Sequence, residues 1–215
     1  MELFKQEDFE IFKIQDFSRR MAAILTRVRP KLLSIGEDVA PKLSALVDCS
    51  LFAHVARHAR RTVNPPDDTW AAFGSNRRGY KKDVHFKFAV SQHCVRLLFE
   101  VGPEYYAKRE WIRGWQGEFS EVAGRLQEHG KLSWFKDEHD ELPAVRLADL
   151  STADLRSLPT ELTRFKNGRG QFVLGRRIEA NEFLKLRPKQ VENLTIKTFE
   201  PLAPLFHIHK ARVLV

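Results

Sequence analysis

The chain has 215 residues, 43% of them hydrophobic and 30% charged, with a formal net charge of +8. That length supports one substantial core or two tightly joined halves, and that balance is the composition of a soluble globular chain. No apolar run approaches the ~18 residues a spanning helix needs, no basic head followed by an apolar block opens the sequence, and Cys49 and Cys94 are too few for a disulfide framework and lack CxxC spacing, so a reduced, cytoplasmic protein without a membrane role is expected.

Residues 8–14 alternate apolar and polar and read as a short strand or lead-in. From Asp16, a good N-cap, the period becomes helical: Phe17, Met21, Ile24, Val28, Leu32, Ile35 and Val39 recur every three or four residues. Pro30 predicts two helices or one kinked helix, with Pro30 near the start of the second piece, and Pro41 predicts another boundary. Residues 52–60 read either as a strand, with Phe52, His54, Ala56, His58 and Arg60 on one face, or as a helix, with His54 and His58 one turn apart. Asn64-Pro65-Pro66-Asp67-Asp68 must be a loop, since proline removes donors and biases the residue before it away from the α region. A strand at 69–73, a turn at 74–76, a charged loop at 77–82 and a hairpin from two strands at 85–90 and 94–101 follow.

Pro103 is expected to open a helix whose Ile112, Trp115, Phe119, Val122 and Leu126 face the core. Residues 131–136 suggest a strand. Ser151 caps a helix with Asp154 in the capping-box position, and Pro159 breaks or restarts it. A strand at 171–174 runs into Gly175-Arg176-Arg177, and a last helix spans about 188–202. The alternating tail from Leu205 reads as a strand or a disordered end. The hairpin-linked strands favour an α+β fold over a doubly wound one: a single layered domain, 1–215, whose mostly antiparallel sheet carries packed helices.

Charge is uneven along the chain. Residues 1–51 balance, residues 52–88 carry eight basic groups against three acidic (+5), and residues 164–189 carry eight against two (+6). Such blocks set up a local field that attracts anions, unless the charges never meet in space. Arg60, Arg61, Arg77, Arg78, Lys81 and Lys82 supply forks and point charges for phosphate, Gly79 lets backbone N–H groups approach an oxyanion, and Trp70, Tyr80 and Phe73 offer rings for a base. No P-loop or RNA-recognition signature accompanies them. His54 and His58, or His207 and His209, are spaced for a metal but have no acidic third ligand nearby, so neither metal nor other cofactor is expected. His54, His58 and His85 also titrate near neutrality and suit a general base. Asn64, Asp67 and Asp68 read as turn-holding residues, with Asn64 buried, and Asp67 and Asp68 are alternatively placed to orient a histidine or cap the following strand.

HVARHARRTVNPPDDTWAAF followed by NRRGYKKDVHF resembles the YktB-like family of uncharacterised bacterial proteins, and RMAAILTRVRPKLLSIGEDVAPKLS and FVLGRRI extend the resemblance over most of the chain. It implies an α+β fold with an antiparallel sheet, a bacterial cytoplasmic setting and, more distantly, the layout of the catalytic domain of biotin and lipoate ligases. It transfers no activity and no catalytic residue.

Three readings follow. The first is binding of a phosphate-rich partner, nucleic acid or a nucleotide-type ligand, through His54, His58, Arg60, Arg61, Asn64, Trp70, Arg77, Arg78, Tyr80, Lys81, Lys82 and His85, helped by Arg176 and Arg177. The second is an enzyme acting on a small anionic substrate, with a histidine base and an arginine clamp in a pocket. The third is structural, with the arginines of HARRTVNPP paired to Asp67, Asp68 and Glu100.

Overall fold

A computed structural model describes residues 1–165 and 168–208. Helix α1 (Gln6–Glu10) starts where Asp8 accepts the Lys5 backbone N–H at 2.7 Å, and it continues as a 3-10 turn over Ile11–Lys13. The segment 8–14 is thus helical rather than extended. Its Phe9, Ile11 and Phe12 are all buried, because a helical turn gathers apolar residues that alternate only on paper. Asp16 caps α2 (Phe17–Ala23), accepting from the Arg19 N–H at 2.8 Å. A π turn, Ile24–Val28, joins α2 to α3 (Arg29–Leu46). Pro30 lies in the first turn of α3, where its missing N–H costs nothing. The wider turn before it accommodates a ring that would clash with the carbonyl four residues back. Pro41 marks no boundary: it sits inside α3 on the exposed side, while Leu32, Ile35, Val39 and Leu43 form a buried stripe.

Next come β1 (Phe52–Val55), β2 (Asp68–Gly74), β3 (His85–Ser91) and β4 (Cys94–Val101). The helix expected from Pro103 begins later, as α4 (Lys108–Glu128), after a turn in which Gly102 O accepts from the Tyr105 N–H. Its buried face includes Trp111 as well as Trp115, Phe119, Val122 and Leu126, and Ile112 is only partly buried. Two short strands, β5 (Ser133–Phe135) and β6 (Val145–Arg146), precede α5 (Thr152–Ser157), which Ser151 caps as expected. Pro159 falls in a 3-10 turn, and a new helix, α6 (Glu161–Arg164), follows. Then come β7 (Phe172–Glu179), α7 (Ala180–Phe183) and α8 (Pro188–Phe199). The chain from Glu200 to Phe206 is 3-10 helix, not a strand, and residues 209–215 of the tail lie outside the described residues.

The strands form one seven-stranded sheet in the order β1-β2-β3-β4-β7-β5-β6, antiparallel at every pairing. The fold is α+β, as the hairpin pattern implied. Alternation sends Phe73, Phe86, Phe88, Val95, Leu97, Phe99, Phe172 and Leu174 to one face, where they are buried. Helices cover that face. Phe86 lies 4.8 Å from Phe199 at the end of α8, and Trp111 of α4 lies 5.0 Å from Phe172, both between ring centroids.

The opposite face carries Asp68, Trp70, His85, Lys87, Arg96, Glu100 and Arg177, with a small apolar cluster of Leu98, Phe135 and Val173. Two loops, 75–84 and 136–144, fold over this polar face through the contacts described next. Arg20 of α2 ties down the long β1–β2 connection, donating to Pro66 O at 3.1 Å and to Asp67 at 3.0 Å.

Candidate functional site

Charged residues inside otherwise apolar strands build the floor of the polar face. Glu100 of β4 stands opposite His85 of β3. His85 lies within hydrogen-bond distance of two acceptors, with Nε2 3.1 Å from Glu100 and Nδ1 3.0 Å from Asp83 O. Lys87 Nζ lies 2.7 Å from the same Glu100 oxygen and also pairs with the Glu138 carboxylate from the loop above. His85, Lys87 and Glu100 are each no more than 2% exposed. Burial alone would raise the Glu100 carboxyl, but the charges and hydrogen bonds of Lys87 and His85 hold it well below the usual carboxylate range. Gly102 makes room for this carboxylate: a Cβ there would sit 2.9 Å from Glu100 Oε1.

A second unit lies beside the first. Arg96 is fully buried and donates to Asp68 Oδ2 at 2.5 Å. Its other amino group donates to the carbonyls of Glu138 (2.6 Å) and Asp140 (3.0 Å), which pins the loop between β5 and β6. Between those two residues, His139 Nδ1 donates to Asp68 at 3.0 Å. Burial pushes the Asp68 carboxyl up, and the His139 hydrogen bond and the Arg96 charge outweigh it, leaving it below its ordinary value.

Aromatic rings join the two units. Trp70 Nε1 donates to the Tyr80 hydroxyl at 2.8 Å, and the indole packs against His58 (5.3 Å) and His139 (5.6 Å), with Lys87 Nζ 5.0 Å from its centroid. Tyr80 packs in turn on His85 (4.7 Å) and His54 (5.8 Å), and burial pushes its hydroxyl up to about 12. His58 stands at a positive φ of 50° and bonds Thr69 Oγ1 at 3.0 Å. Burial pushes it down to about 4, with Asp68 opposing and Arg61 assisting.

Two adjoining concavities result. A cleft of about 100 Å³ is bounded by Trp70, Tyr80, His85, Glu100, Glu138 and His139, with Lys81 and Glu104 at its edge. A more open groove of about 420 Å³ is lined by His54, Asn76, Arg78, Gly79, Lys81 and Lys82 and shares Tyr80 and Lys81 with the cleft.

The structure thus brings His54, Trp70, Arg78, Tyr80, Lys81, Lys82 and His85 to one place. It does not bring the others. β1 ends at Val55, so His54 and His58 share neither a strand face nor a helical turn. Arg60, Arg61 and Asn64 are exposed on the β1–β2 connection, which corrects the buried role expected of Asn64. Arg77 lies over the Phe52 ring. Arg176 and Arg177 are adjacent on a strand and therefore face opposite sides of the sheet. Arg177 pairs with Glu179 and half-buried Arg176 sits 4.0 Å from Glu182, so neither lines the cleft or the groove. Nor do the HARRTVNPP arginines serve the acids assigned to them: Asp67 pairs with Arg20, Asp68 with Arg96, and Glu100 with Lys87.

Among the described residues no group of three His, Cys, Asp or Glu is placed for a metal. His207 donates to Val47 O, and His209 lies outside the described residues. Sequence reasoning missed Lys87, Arg96, Glu138 and His139. Lys87 in HFKFAV and Arg96 in CVRLLFEV carried a signal, a lone cation within an apolar strand. Glu138 and His139 sit in an acidic stretch and carried none.

The model of a family described as a domain of unknown function, DUF1054, matches residues 4–206. The chain belongs to this family. Among DUF1054 relatives, a UPF0637 protein of Oceanobacillus iheyensis is 34% identical over 95% of each chain, one of Bacillus licheniformis is 33% identical over 95% of each, and one of Bacillus velezensis is 31% identical over 94% of each. All three come from bacteria, in keeping with the YktB-like resemblance. None of these names states a substrate or reaction, so for this DUF1054 chain function rests on the site.

Proposed function

We propose that the polar face of the sheet binds a small phosphate-bearing ligand of the nucleotide type, its phosphate in the open groove and its polar remainder toward the cleft. The observation that carries this reading is the sharing of Tyr80 and Lys81 by the two concavities. One is walled by Arg78 and Lys82, which meet no carboxylate among the described residues. The other is walled by buried, mutually fixed charges. Gly79 leaves the groove's backbone open, since a Cβ there would meet nothing within 4 Å. Arginine and lysine N–H groups are strong phosphate donors, and backbone N–H groups add to them.

A small ligand suits this geometry better than a nucleic acid. The cleft that adjoins the basic groove carries Glu104 and Glu138, and Arg176 and Arg177 are not among the groove's residues. No helix among the described residues is long and apolar enough to cross a membrane. A phosphorylated metabolite as ligand fits a cytoplasmic setting.

Isothermal titration calorimetry with inorganic phosphate, pyrophosphate and a nucleoside mono- and triphosphate tests the reading. Removing two charge-assisted donors in Arg78→Ala/Lys82→Ala is expected to weaken the best of these about 100-fold. No heat from any of them at low salt, or unchanged affinity in the double variant, would sink the idea. Tight, salt-steep binding of single-stranded DNA or RNA lost in the same variant would turn the reading to nucleic acid.

A further inference from the structure

His85 and His139 line the cleft, His54 lines the groove beside it and His58 packs on Trp70, and of these four histidines only His139 gives Nδ1 to a carboxylate. His85 uses both nitrogens, His54 donates to Asn76 O at 2.9 Å, and His58 bonds Thr69. His139 gives Nδ1 to a buried carboxylate and leaves Nε2 without a hydrogen-bond partner among the described residues. Its nearest acid is Glu138 Oε1 at 3.8 Å. The side chain is 44% exposed and lines the cleft.

We propose that Asp68 and His139 form a general acid–base pair serving the ligand of this cleft, with His139 as the proton-transfer group and Asp68 as its positioning residue. This rests on the ligand reading above for its substrate. The chemistry follows from the bonding. A carboxylate on Nδ1 fixes the tautomer that leaves the Nε2 lone pair available, and it stabilises the imidazolium once Nε2 is protonated. In the forward step, Nε2 takes the proton of a water or ligand hydroxyl as that oxygen's electron pair forms a bond to the electrophilic atom of the ligand. The bond to the leaving oxygen breaks with its pair, and Nε2–H returns the proton to that oxygen. Nothing is oxidised or reduced.

The pair is held from several sides. Arg96 holds the Asp68 carboxylate and, through two backbone carbonyls, the loop that carries His139. Trp70 packs on the imidazole. Burying Arg96 and Asp68 is costly even when they are paired, and the cost maintains an imidazole in one orientation at the mouth of a cleft.

Carbethoxylation by diethyl pyrocarbonate, followed residue by residue with peptide mass spectrometry, tests the pair without a known substrate. His93, exposed in the β3–β4 turn, is the internal reference. A carboxylate-backed Nε2 is expected to react about fivefold faster than His93, following Brønsted behaviour, and Asp68→Asn should bring it down to the His93 rate. The pH profile of the His139 rate should shift in that variant, which loss of packing alone would not produce. If His139 in the wild-type protein reacts no faster than His93, the proposal is overturned, whether or not Asp68→Asn folds. If a folded Asp68→Asn leaves the His139 rate and profile unchanged, it is likewise overturned. The two readings fail separately. Pyrophosphate that binds by calorimetry while His139 behaves like His93 removes the pair and keeps the ligand. Excess His139 reactivity with no heat from any phosphate removes the ligand and keeps the pair.

Discussion

Replacing Glu100 with glutamine tests whether the buried charges are held in balance. Glu100 is 2% exposed and faces Lys87 at 2.7 Å and His85 at 3.1 Å. At an effective dielectric of ~20, the attraction to Lys87 alone is about 6 kcal/mol. Removing the charge also removes its own burial cost, so the net loss is smaller, about 3–5 kcal/mol, the range for breaking a buried pair from one side. For a chain of this size that lowers Tm by about 10 °C. Urea unfolding at neutral pH, followed by tryptophan fluorescence, measures it. The sign of the pH dependence follows from the depressed carboxyl. Glu100 lies below its ordinary value of 4.5 when folded, so its contribution is present above the unfolded value and is lost as pH falls through the folded one. Wild type should therefore lose stability on acidification more steeply than Glu100→Gln, and the two curves should converge at low pH. A Glu100→Gln protein within about 0.5 kcal/mol of wild type, the range of an ordinary surface substitution, would refute the balance described here.

Other substitutions probe separate features. His58 is held near 4 against an ordinary 6.5, so the unfolded chain binds the extra proton between those values and stability falls as pH drops from 6.5 towards 4; His58→Gln should flatten that part of the urea midpoint-versus-pH curve. Gly175→Ala places a Cβ 2.1 Å from Leu97 O in the adjoining strand, and a clash with backbone inside a sheet should cost more than about 3 kcal/mol, seen as insoluble expression or a large fall in Tm. Ser151→Ala removes the cap on the Asp154 N–H and should cost about 1 kcal/mol by urea titration without changing ligand heat.

What could be read in the chain divides along a physical line. The hairpin, the capped helices at Asp16 and Ser151 and the role of Pro30 were legible, because each depends on residues within a few positions of one another. The segment at 8–14 misled because alternation over so few residues fits a helical turn as well as a strand. The proline at 41 misled because the buried stripe on the other side of a long helix holds it together despite the lost hydrogen bond and the ring's crowding of the carbonyl four residues back. Within the candidate site, the cations at 78–82 and the rings of Trp70 and Tyr80 stood out by density. The pairing of Asp68 with Arg96 and His139 did not, because sheet order and a loop crossing bring these residues together and no local pattern records that. The second basic block looked like a helper for the first until strand alternation set Arg176 and Arg177 on opposite faces.

The grip of Arg96 on the loop after β5 has a consequence for how this family can drift. Its two bonds there go to main-chain carbonyls, at Glu138 and Asp140. Main-chain oxygens look alike whatever side chain they carry, so the anchor itself tolerates replacement at 140. It does not tolerate a change of length. One residue gained or lost between Phe135 and Val145 would slide both carbonyls out of reach and carry His139 away from Asp68. Relatives should therefore vary freely in spelling across this loop while keeping its residue count, and a single-residue deletion there should do more damage than several substitutions combined.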